Sequence, residues 1–537
     1  MAASTAAAPS TSAWPALAAA GTAPSDAGTP DATATATATE PEPPPLPASE
    51  TADLIIRGGV VIDGSGRAGR RAEVVVRGER IVHVGPVDAG FRAAREIDAR
   101  GKVVTPGFID AHAHADPLGD VRPALAMGVT TLVVGQDGRS PGDGTIADWA
   151  RAVEKARPMI NAATLVGHAT VRTRAGAAAG APSTAQLATM ARLVGEGMDQ
   201  GAFGLSTGLE YWPGRGAKLE ELVEIARPVG ARGGLVMSHL RSEDDDAIDA
   251  ALDELVAQGR GAGARVHVAH IKVVHGKGVA RAESLLARMA AARQAGVAVS
   301  ADIYPYEASF TGIEIVFPDW AKSDWAAATG RRRPELAEHL RRRIALRNGP
   351  GATLFGTGKW TGQTLAEVAT KLGKPFEDVL IDDIGPNGAS AAYFVMDPAL
   401  QARLLLDPHV VIGSDGGGGG RHPRGHGTFA KVLREAVVEK QQLSLEAAIR
   451  KMSGATAELI GLDALEGAMK RGRVRSGWAA DLLVFDPTRV RDRATYREPH
   501  LLAEGFDVVL VAGRLVREAG VFTAARSGKV LLRERPP

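Results

Sequence analysis

The feature that most constrains the fold is a regular alternation of short apolar runs with longer amphipathic segments through the middle of the chain. Eight apolar runs follow one another at 108–114, 129–135, 161–168, 202–208, 235–240, 265–271, 297–306 and 409–415. Most are separated by stretches long enough for a helix, such as GTIADWARAVEKA and AESLLARMAAARQAG. Eight strands that alternate with helices are typical of a parallel (β/α)₈ barrel. We therefore predict an α/β protein built on a TIM-type barrel over 106–469.

Short β-branched runs lie on both sides of this central region. ADLIIRGGVVIDGSG and RAEVVVRGERIVHVG precede it, and ADLLVFD and DVVLVAGRLV follow it. Because glycine turns break these runs, they predict hairpins rather than helices. We expect 51–105 and 470–530 to assemble one small β-sandwich domain from both chain ends.

The gap between the seventh and eighth runs is too long for a single crossover helix. It contains RRRPELAEHLRRRIALRNG and TLAEVATKLG, which predict helices of an inserted subdomain. An insertion that leaves the carboxyl end of a barrel strand lies over the mouth of the barrel. We therefore predict a helical, lid-like subdomain over 310–385.

The first 50 residues are rich in Ala, Thr and Pro and contain few large side chains. Such a segment buries too little apolar surface to offset its ordering entropy, so we expect it to be disordered. It lacks the basic start and the continuous apolar core of a secretory signal, which favours the cytoplasm. A linker left behind a removed export signal is the alternative, and it would place the protein in the periplasm.

Composition excludes several classes of partner and cofactor. The 63 Lys+Arg residues nearly balance 62 Asp+Glu, so we expect no nucleic acid partner. The chain has no apolar run of about 18 residues, the length that a membrane span requires. It also has no cysteine, which removes disulfides, thiol nucleophiles and iron–sulfur clusters. Any bound metal must therefore be held by histidines and carboxylates.

Polar side chains collect at the predicted carboxyl ends of the strands, where barrel enzymes build their sites. They are His112, His114, Asp137, His168, Glu210, Tyr211, His239, His270, Tyr304, Tyr306 and Asp415. His112 and His114 share one face of a strand, because side chains alternate with a period of two. Imidazole and carboxylate ligands suit zinc, and manganese or cobalt less strongly. A lone histidine is more often structural, so we predict structural roles for His267, His422 and His426.

Asp137 has two interpretations from the residues alone. It lies in GQDG, and Asp-Gly is a common turn dipeptide, but it also comes just after the second apolar run, where the strand ends. Asp415 in IGSDGGGGG is equally ambiguous, although its place at the end of the eighth run suits a carboxylate base beside a metal. The glycines 416–420 lack the spacing and the trailing Lys-Ser/Thr of a phosphate-binding loop, so we expect a flexible rim.

Several longer motifs occur together over roughly residues 52–520. PGFIDAHAHAD and GRVRSGWAADLLVFDP resemble the amidohydrolase superfamily. GAFGLSTGLEYWPG, SHLRSE, AHIKVVHGKG, ADIYPYEAS and HPRGHGTFAKVLREAV look more narrowly like the N-acyl-D-amino acid deacylases, or D-aminoacylases. The resemblance implies a zinc-dependent hydrolase that converts an N-acyl-D-amino acid into a carboxylate and a free D-amino acid.

The same resemblance implies roles for metal ligands. His239 and His270 match the ligands of a tightly held zinc ion. His112 and His114 match the ligands of a second, weaker site. Asp415 matches the catalytic carboxylate at the metal centre.

The resemblance also implies how the substrate is held. Tyr304 and Arg424 match positions that bind the substrate carboxylate, and Lys272 lies beside them in the motif. The backbone of 204–208 matches a pocket wall. The expected partner is a small amide substrate that carries a carboxylate.

One motif departs from the family pattern. Where the D-aminoacylases have GNCG with a cysteine ligand, this chain has GQDG, so Asp137 stands in the thiolate position. A carboxylate is a harder ligand and could bridge two metals. One zinc ion and a binuclear centre are therefore both compatible with the sequence.

The predicted chemistry is hydrolysis of an amide bond at a metal-activated water. Asp415 would take the proton of this water and return it to the departing amine, while Arg424 would bind the substrate carboxylate. An amidohydrolase that acts on dipeptides or cyclic amides is an alternative with the same metal centre. A deaminase and a non-catalytic ligand-binding barrel are further alternatives.

Overall fold

The computed structural model describes residues 43–417, 419–466 and 470–534. The predicted disordered segment 1–50 lies outside the described residues as far as residue 42. Residues 43–50 lie beside the first strands, where Leu46 donates its N–H to the carbonyl of Pro86 at 3.2 Å. None of the described helices combines the length and the apolar character that crossing a lipid bilayer requires.

Strands occur along the whole described chain. In chain order they are β1 Ala52–Arg57, β2 Val60–Val61, β3 Arg70–Arg71, β4 Glu73–Arg77, β5 Arg80–Gly85, β6 Ala93–Asp98, β7 Val103–Pro106, β8 Phe108–Asp110, β9 Val129–Val134, β10 Asn161–Thr164, β11 Val166–Gly167, β12 Gly204–Gly208, β13 Leu235–His239, β14 Arg265–Val268, β15 Val299–Ile303, β16 Ala308–Gly312, β17 Thr353–Phe355, β18 Ser390–Phe394, β19 Val410–Ile412, β20 Leu482–Phe485, β21 Phe506–Val511, β22 Arg514–Glu518 and β23 Val521–Phe522.

Helices fill the segments between the central strands. They are α1 Arg122–Ala126, α2 Ile146–Ala156, α3 His168–Arg174, α4 Thr184–Asp199, α5 Leu219–Gly230, α6 Ile248–Ala262, α7 Val279–Gln294, α8 Asp319–Ser323, α9 Trp325–Thr329, α10 Arg333–Leu346, α11 Leu365–Leu372, α12 Phe376–Asp378, α13 Pro398–Leu406, α14 Arg424–Lys431, α15 Leu445–Met452 and α16 Gly454–Ile460. Short 3₁₀ turns occur at Gly214–Gly216, Ile313–Val316, Pro350–Ala352 and Pro487–Arg489, and π-helical turns at Val379–Ile384 and Val432–Glu439. Reciprocal side-chain caps at Thr145, Ser183 and Thr364 start α2, α4 and α11.

Each of the eight predicted apolar runs contains a strand. β8, β9 and β10 pair in parallel, and β11, β12, β13, β14, β15 and β19 form a second parallel sheet in that order. Beyond the ends of β8 and β19, Asp415 donates its N–H to the carbonyl of His112, and His114 donates to Gly416, both at 2.8 Å. The segments that follow the first and eighth strands therefore lie side by side.

The chain ends meet in two further sheets. One has the order β5-β4-β1-β6, and the other, with the order β23-β22-β21-β20-β7-β2-β3, combines strands from both ends of the chain. A single apolar cluster contains Ile56 and Val74 of the first sheet together with Val104 and Leu482 of the second.

The sequence predicted a helical insertion, but the insertion between β15 and β19 is not wholly helical. It contains an antiparallel sheet of β16, β18 and β17 as well as helices, and this sheet extends beyond both limits of the predicted 310–385. Runs such as TLF and SAAYF are too short for alternation to reveal a strand, and only their pairing stabilises them. The insertion has its own apolar cluster, which includes Leu340, Phe355 and Tyr393.

Asp481 connects the sheet of the chain ends to the central strands. Its buried carboxylate accepts hydrogen bonds from the Asn161 side chain at 3.0 Å and from the backbone N–H of Ala512 at 2.7 Å. It also accepts one from the buried guanidinium of Arg471 at 3.0 Å. Asn161 begins β10, so this carboxylate joins three separate parts of the chain.

We expect Asp481→Ala to lower the free energy of unfolding by roughly 3–5 kcal/mol, because it removes the carboxylate opposite a buried guanidinium. Thermal and denaturant unfolding measure this loss. Asp486→Ala removes a capping carboxylate that accepts from the N–H and the hydroxyl of Thr488 and has no buried cation opposite it, so it should cost about 1 kcal/mol. Equal unfolding midpoints for the two variants would contradict the role of Asp481.

Candidate metal centre

The six predicted metal ligands lie in one cluster at the carboxyl ends of the parallel strands. Two groups of potential ligand atoms each lie within 4.8 Å of one another, and they are His112, His114, Asp137 and Asp415 in the first and Asp137, His239 and His270 in the second. Asp137 belongs to both groups. The cluster lies at a cavity of about 500 Å³ that is lined by His114, Asp137, His239, His270 and Asp415 among others.

In the first group, the imidazole nitrogens and the carboxylate oxygens point toward one another. The His114 Nε2 lies 3.2 Å from an Asp137 oxygen and 3.3 Å from an Asp415 oxygen. The His112 Nε2 lies 3.3 Å from the His114 Nε2 and 3.6 Å from the other Asp137 oxygen. Two ligand atoms bound to one zinc ion are at most about 4.4 Å apart, so these four side chains match a single metal site.

The second group is equally compact. The His239 Nδ1 lies 2.8 Å from the His270 Nε2. The Asp137 Oδ1 lies 3.8 Å from this His270 nitrogen and 4.0 Å from the His239 Nδ1. Asp137 Oδ1 is buried and has no hydrogen-bond partner among the described residues. An unpartnered carboxylate oxygen that faces three imidazoles fits the ligand set of a divalent ion.

The carboxylates of the cluster favour a positive charge beside them. Desolvation lowers the pKa of His114, but Asp137 and Asp415 outweigh it and raise the pKa to about 9. Burial would raise the pKa of Asp137, but hydrogen bonds from His114 and His270 hold it well below its usual range. A bound divalent ion would satisfy the same carboxylates and take the place of the protons on the imidazoles.

Three of the predicted ligands lie in a backbone region that favours glycine. The φ angles are 51° at Asp137, 36° at His270 and 50° at Asp415. Such conformations cost about 1–3 kcal/mol at residues other than glycine, and they persist where the surroundings impose them. Their coincidence with the ligand cluster indicates that the fold gives up local stability to aim these side chains inward.

The turn that carries Asp137 is held by its neighbour β12. The N–H of Gly138 donates to the Ser206 hydroxyl at 3.1 Å. A Cβ at Gly208 would lie 2.4 Å from the Asp137 carbonyl oxygen, so only glycine permits this approach. The predicted contribution of 204–208 to the wall of the site thus takes the form of backbone support for the Asp137 turn.

Two further carboxylates contact the imidazoles from outside the cluster. The Glu210 carboxylate lies 3.0 Å from the His239 Nε2, and the Glu243 carboxylate lies 3.0 Å from the His270 Nδ1. Each contact leaves the other nitrogen of the ring facing Asp137. Carboxylates in this position orient metal-binding histidines and fix the nitrogen that carries the proton.

His267 is buried away from the cluster. Its Nε2 lies 3.0 Å from the Asp302 carboxylate, and its Nδ1 lies 2.8 Å from the Ser300 hydroxyl. Asp302 also accepts the backbone N–H of His270 at 3.0 Å. The structural role predicted for His267 agrees with these contacts, since it supports the carboxylate that holds the His270 backbone.

The three predicted substrate-binding residues all lie near the cluster, and two of them form ion pairs. Arg424 contacts the Asp415 carboxylate at 2.6 Å, and its guanidinium lies 5.0 Å from the centre of the Tyr304 ring. Lys272 contacts the Glu243 carboxylate at 2.6 Å and the His270 Nδ1 at 2.7 Å. Burial would raise the pKa of Asp415, but the charges of Arg424 and His270 hold it well below its usual range.

The other predicted strand-end and loop residues have separate partners. His168 lies 2.9 Å from the Glu221 carboxylate, outside the metal cluster. His422 orients its loop, as predicted, because its Nε2 contacts the carbonyl of Ala308 at 2.9 Å and its Nδ1 accepts the N–H of Arg424 at 3.0 Å. Tyr211 packs against the His239 ring, with ring centres 4.6 Å apart.

Sequence reasoning missed the roles of Glu243, Asp302 and Arg347. Glu243 lies within the SHLRSE motif and Asp302 within ADIYPYEAS, so their motifs were recognised without these carboxylates being singled out. Arg347 lines the cavity from the insertion. Among several arginines nearby in sequence, nothing in the local pattern distinguishes it.

Comparison with known proteins places this geometry in a family. The model of the amidohydrolase family matches residues 95–301 and 338–517. The N-acyl-D-glutamate deacylase of Alcaligenes xylosoxydans xylosoxydans is 37% identical, over 90% of this chain and 97% of its own.

Solved structures give the same relationship. The N-acyl-D-glutamate deacylase of Bordetella bronchiseptica, complexed with zinc and a phosphonate inhibitor that mimics the tetrahedral intermediate, is 33% identical with a TM-score of 0.77. A D-aminoacylase structure that concerns the role of a binuclear metal centre is 34% identical with a TM-score of 0.75. Both matches cover 90% of this chain and 100% of the solved chain. The α/β amidohydrolase fold is therefore confirmed, and the chain belongs to the amidohydrolase family and, within it, to the D-aminoacylases.

Proposed function

We propose that this protein is a metal-dependent hydrolase that cleaves the amide bond of N-acyl-D-amino acids and releases a carboxylate and a free D-amino acid. The observation that carries the proposal is the shared position of Asp137 between two groups of metal ligands. The same cavity contains Lys272 and Arg424, two buried cations suited to a substrate carboxylate. The D-configuration is supported by the activities of the related deacylases.

The metal centre is proposed to hold one or two divalent ions, with zinc first and manganese or cobalt as substitutes. His239 and His270 would hold one ion, His112, His114 and Asp415 the other, and Asp137 would bridge them. When bound, such an ion polarises an amide carbonyl and lowers the pKa of a water molecule. Glu210 and Glu243 keep the imidazoles oriented for this role.

Asp415 is proposed as the proton carrier of the reaction. One of its oxygens faces His114, and the other faces Arg424. It would accept a proton from the attacking water and donate it to the departing nitrogen, so one carboxylate serves as base and then acid.

Arg424 is proposed to bind the α-carboxylate of the substrate, with Tyr304 and Lys272 beside it. Its planar guanidinium matches a carboxylate with two parallel hydrogen bonds. A substrate carboxylate that engages Arg424 would weaken the ion pair with Asp415. The pKa of Asp415 would then rise, which makes it a better proton acceptor when substrate is present.

The finer architecture follows from the same relationship. We propose that the parallel strands of 106–469 close into a (β/α)₈ barrel through the contacts between His112, His114 and the segment after β19. The two sheets of the chain ends would form a β-sandwich from 51–105 and 470–530. The insertion would cover the cavity as a lid, and the gap in the family match at 302–337 supports its separate character.

The proposed function is tested by hydrolysis of a panel of N-acetyl-D- and N-acetyl-L-amino acids, dipeptides and hydantoins, with release of ammonia measured in parallel. We expect hydrolysis of the N-acetyl-D-amino acids, with loss on chelation and recovery on addition of zinc. Asp415→Asn should lower kcat by about 10²–10⁴-fold, because it removes the proton acceptor. Asp143→Asn, at an exposed loop position, is the matched control. Preference for a dipeptide or hydantoin, or ammonia release, would overturn the substrate assignment.

Asp137→Asn should lower the affinity for metal by at least about 100-fold, because it removes the charge of a direct ligand. Asp137→Cys should keep at least one zinc ion tightly bound, because a thiolate is a strong zinc ligand. Metal content per chain and competition with a chromophoric chelator measure both effects. If Asp137→Asn binds as much metal as the unmodified protein with equal affinity, Asp137 is only a turn residue.

Arg424→Ala should raise KM by about 10- to 100-fold for N-acetyl-D-leucine, since it removes charged hydrogen bonds to the carboxylate. N-acetyl-D-leucinamide, which lacks that charge, should be much less affected. Arg421→Ala is the control, because this side chain contacts the carbonyl of Arg497 instead of the cluster. Equal losses on both substrates would contradict carboxylate binding by Arg424.

A further inference from the structure

Arg347 is a buried arginine at the end of α10 in the insertion. It follows the last helical residue, Leu346, and donates its backbone N–H to Ile344 at 3.0 Å. Its residue surface is only 2% exposed, yet it lines the cavity that contains the metal centre. The insertion therefore brings a cation to the site from outside the parallel strands.

The guanidinium of Arg347 has unsatisfied donors. Its Nε and one terminal nitrogen are buried without a hydrogen-bond partner among the described residues. Burial lowers the pKa of Arg347, and the neighbouring charge of Arg343 adds to this effect. A buried cation with unpaired donors is destabilising unless an anion compensates it.

The carboxylates that act on Arg347 have other partners. Asp244 and Glu210 both attract it, but Asp244 forms an ion pair with Arg343 at 2.6 Å. Glu210 contacts the His239 imidazole at 3.0 Å. Neither carboxylate lies within ion-pair distance of Arg347, and no other carboxylate of the described residues forms an ion pair with it.

The other buried cations of the cavity differ from Arg347 in this respect. Lys272 is paired with Glu243, and Arg424 with Asp415, each at 2.6 Å. Among the described residues that line the cavity, Arg347 is the buried cation without a carboxylate within 4.0 Å.

A purely structural role accounts for only part of this geometry. The guanidinium lies 4.8 Å from the centre of the Tyr393 ring, and this contact stabilises the face of the guanidinium. It does not satisfy the N–H donors at the edge. Glu314 also lines the cavity, but it forms no ion pair with Arg347 among the described residues. The N–H edge of Arg347 therefore has no carboxylate partner, although an acidic residue lies in the same cavity.

We propose that Arg347 is a specificity-determining residue that binds a second carboxylate of the substrate. Arg424 is assigned to the α-carboxylate, so the second carboxylate is that of an acidic side chain, as in N-acyl-D-glutamate or N-acyl-D-aspartate. This assignment rests on the proposed function. It makes acidic N-acyl-D-amino acids the substrate class and gives the insertion a direct part in substrate selection.

The test compares kcat and KM for N-acetyl-D-glutamate with those for N-acetyl-D-glutamine, which has nearly the same shape but no side-chain charge. The zinc-loaded enzyme should prefer the glutamate derivative by at least about tenfold. Arg347→Met should remove this preference through a rise of about 10- to 100-fold in KM for the glutamate derivative. Activity toward the glutamine derivative should persist. Arg347→Lys, which keeps the charge, should restore part of the preference.

Arg342→Met is the matched control, since Arg342 is an exposed residue of the same helix, and it should leave the preference unchanged. Equal losses on both substrates in Arg347→Met would overturn the assignment and indicate a structural role. Should Arg347→Met fail to fold, the comparison of the two substrates with the unmodified enzyme still tests the assignment. Absence of a preference for the glutamate derivative would overturn it. Hydrolysis of neutral substrates without discrimination leaves the proposed function intact. Failure to hydrolyse any N-acetyl-D-amino acid overturns both.

Discussion

The convergence of carboxylates and imidazoles on Asp137 is the interaction on which the rest of the site depends. One Asp137 oxygen approaches His112, His239 and His270, and the other approaches His114. Apart from His114, whose side chain is 37% exposed, these groups are largely enclosed, where water screens their charges poorly. The cluster therefore requires a positive charge among its members. The strained backbone at Asp137 shows how strongly the surrounding strands impose this arrangement of side chains.

The residues that surround the cluster hold its imidazoles in fixed orientations. Glu210 and Glu243 contact the outer nitrogens of two imidazoles, and Asp302 holds the backbone of His270. Lys272 joins this layer through Glu243 and reaches the cavity. Each ring is thereby aimed inward before any ligand binds, which is the preorganisation that metal-dependent hydrolysis requires.

The buried cations of the cavity differ in whether they form an ion pair with a carboxylate. Arg424 is paired with the proposed catalytic carboxylate, so a substrate must compete with Asp415 for it. Arg347 is buried without a carboxylate partner in the part of the chain that the structure describes, and it comes from a segment outside the parallel strands. In the roles that we propose, the parallel strands carry the chemistry, while the inserted segment contributes to the choice of substrate. This division agrees with a fold whose strands are constrained by packing and whose insertions vary freely.

The sequence by itself determined the strand runs, the six candidate ligands and the family, because hydrophobic periodicity and strand-end motifs are local signals. It left open whether Asp137 was a turn residue or a ligand, and it predicted no strands within the insertion. Only the tertiary structure brought Asp137 between two groups of histidines and left the guanidinium of Arg347 without a carboxylate partner among the described residues. Both properties depend on distances between residues far apart in the chain. Such distances arise from packing, and no local pattern encodes them.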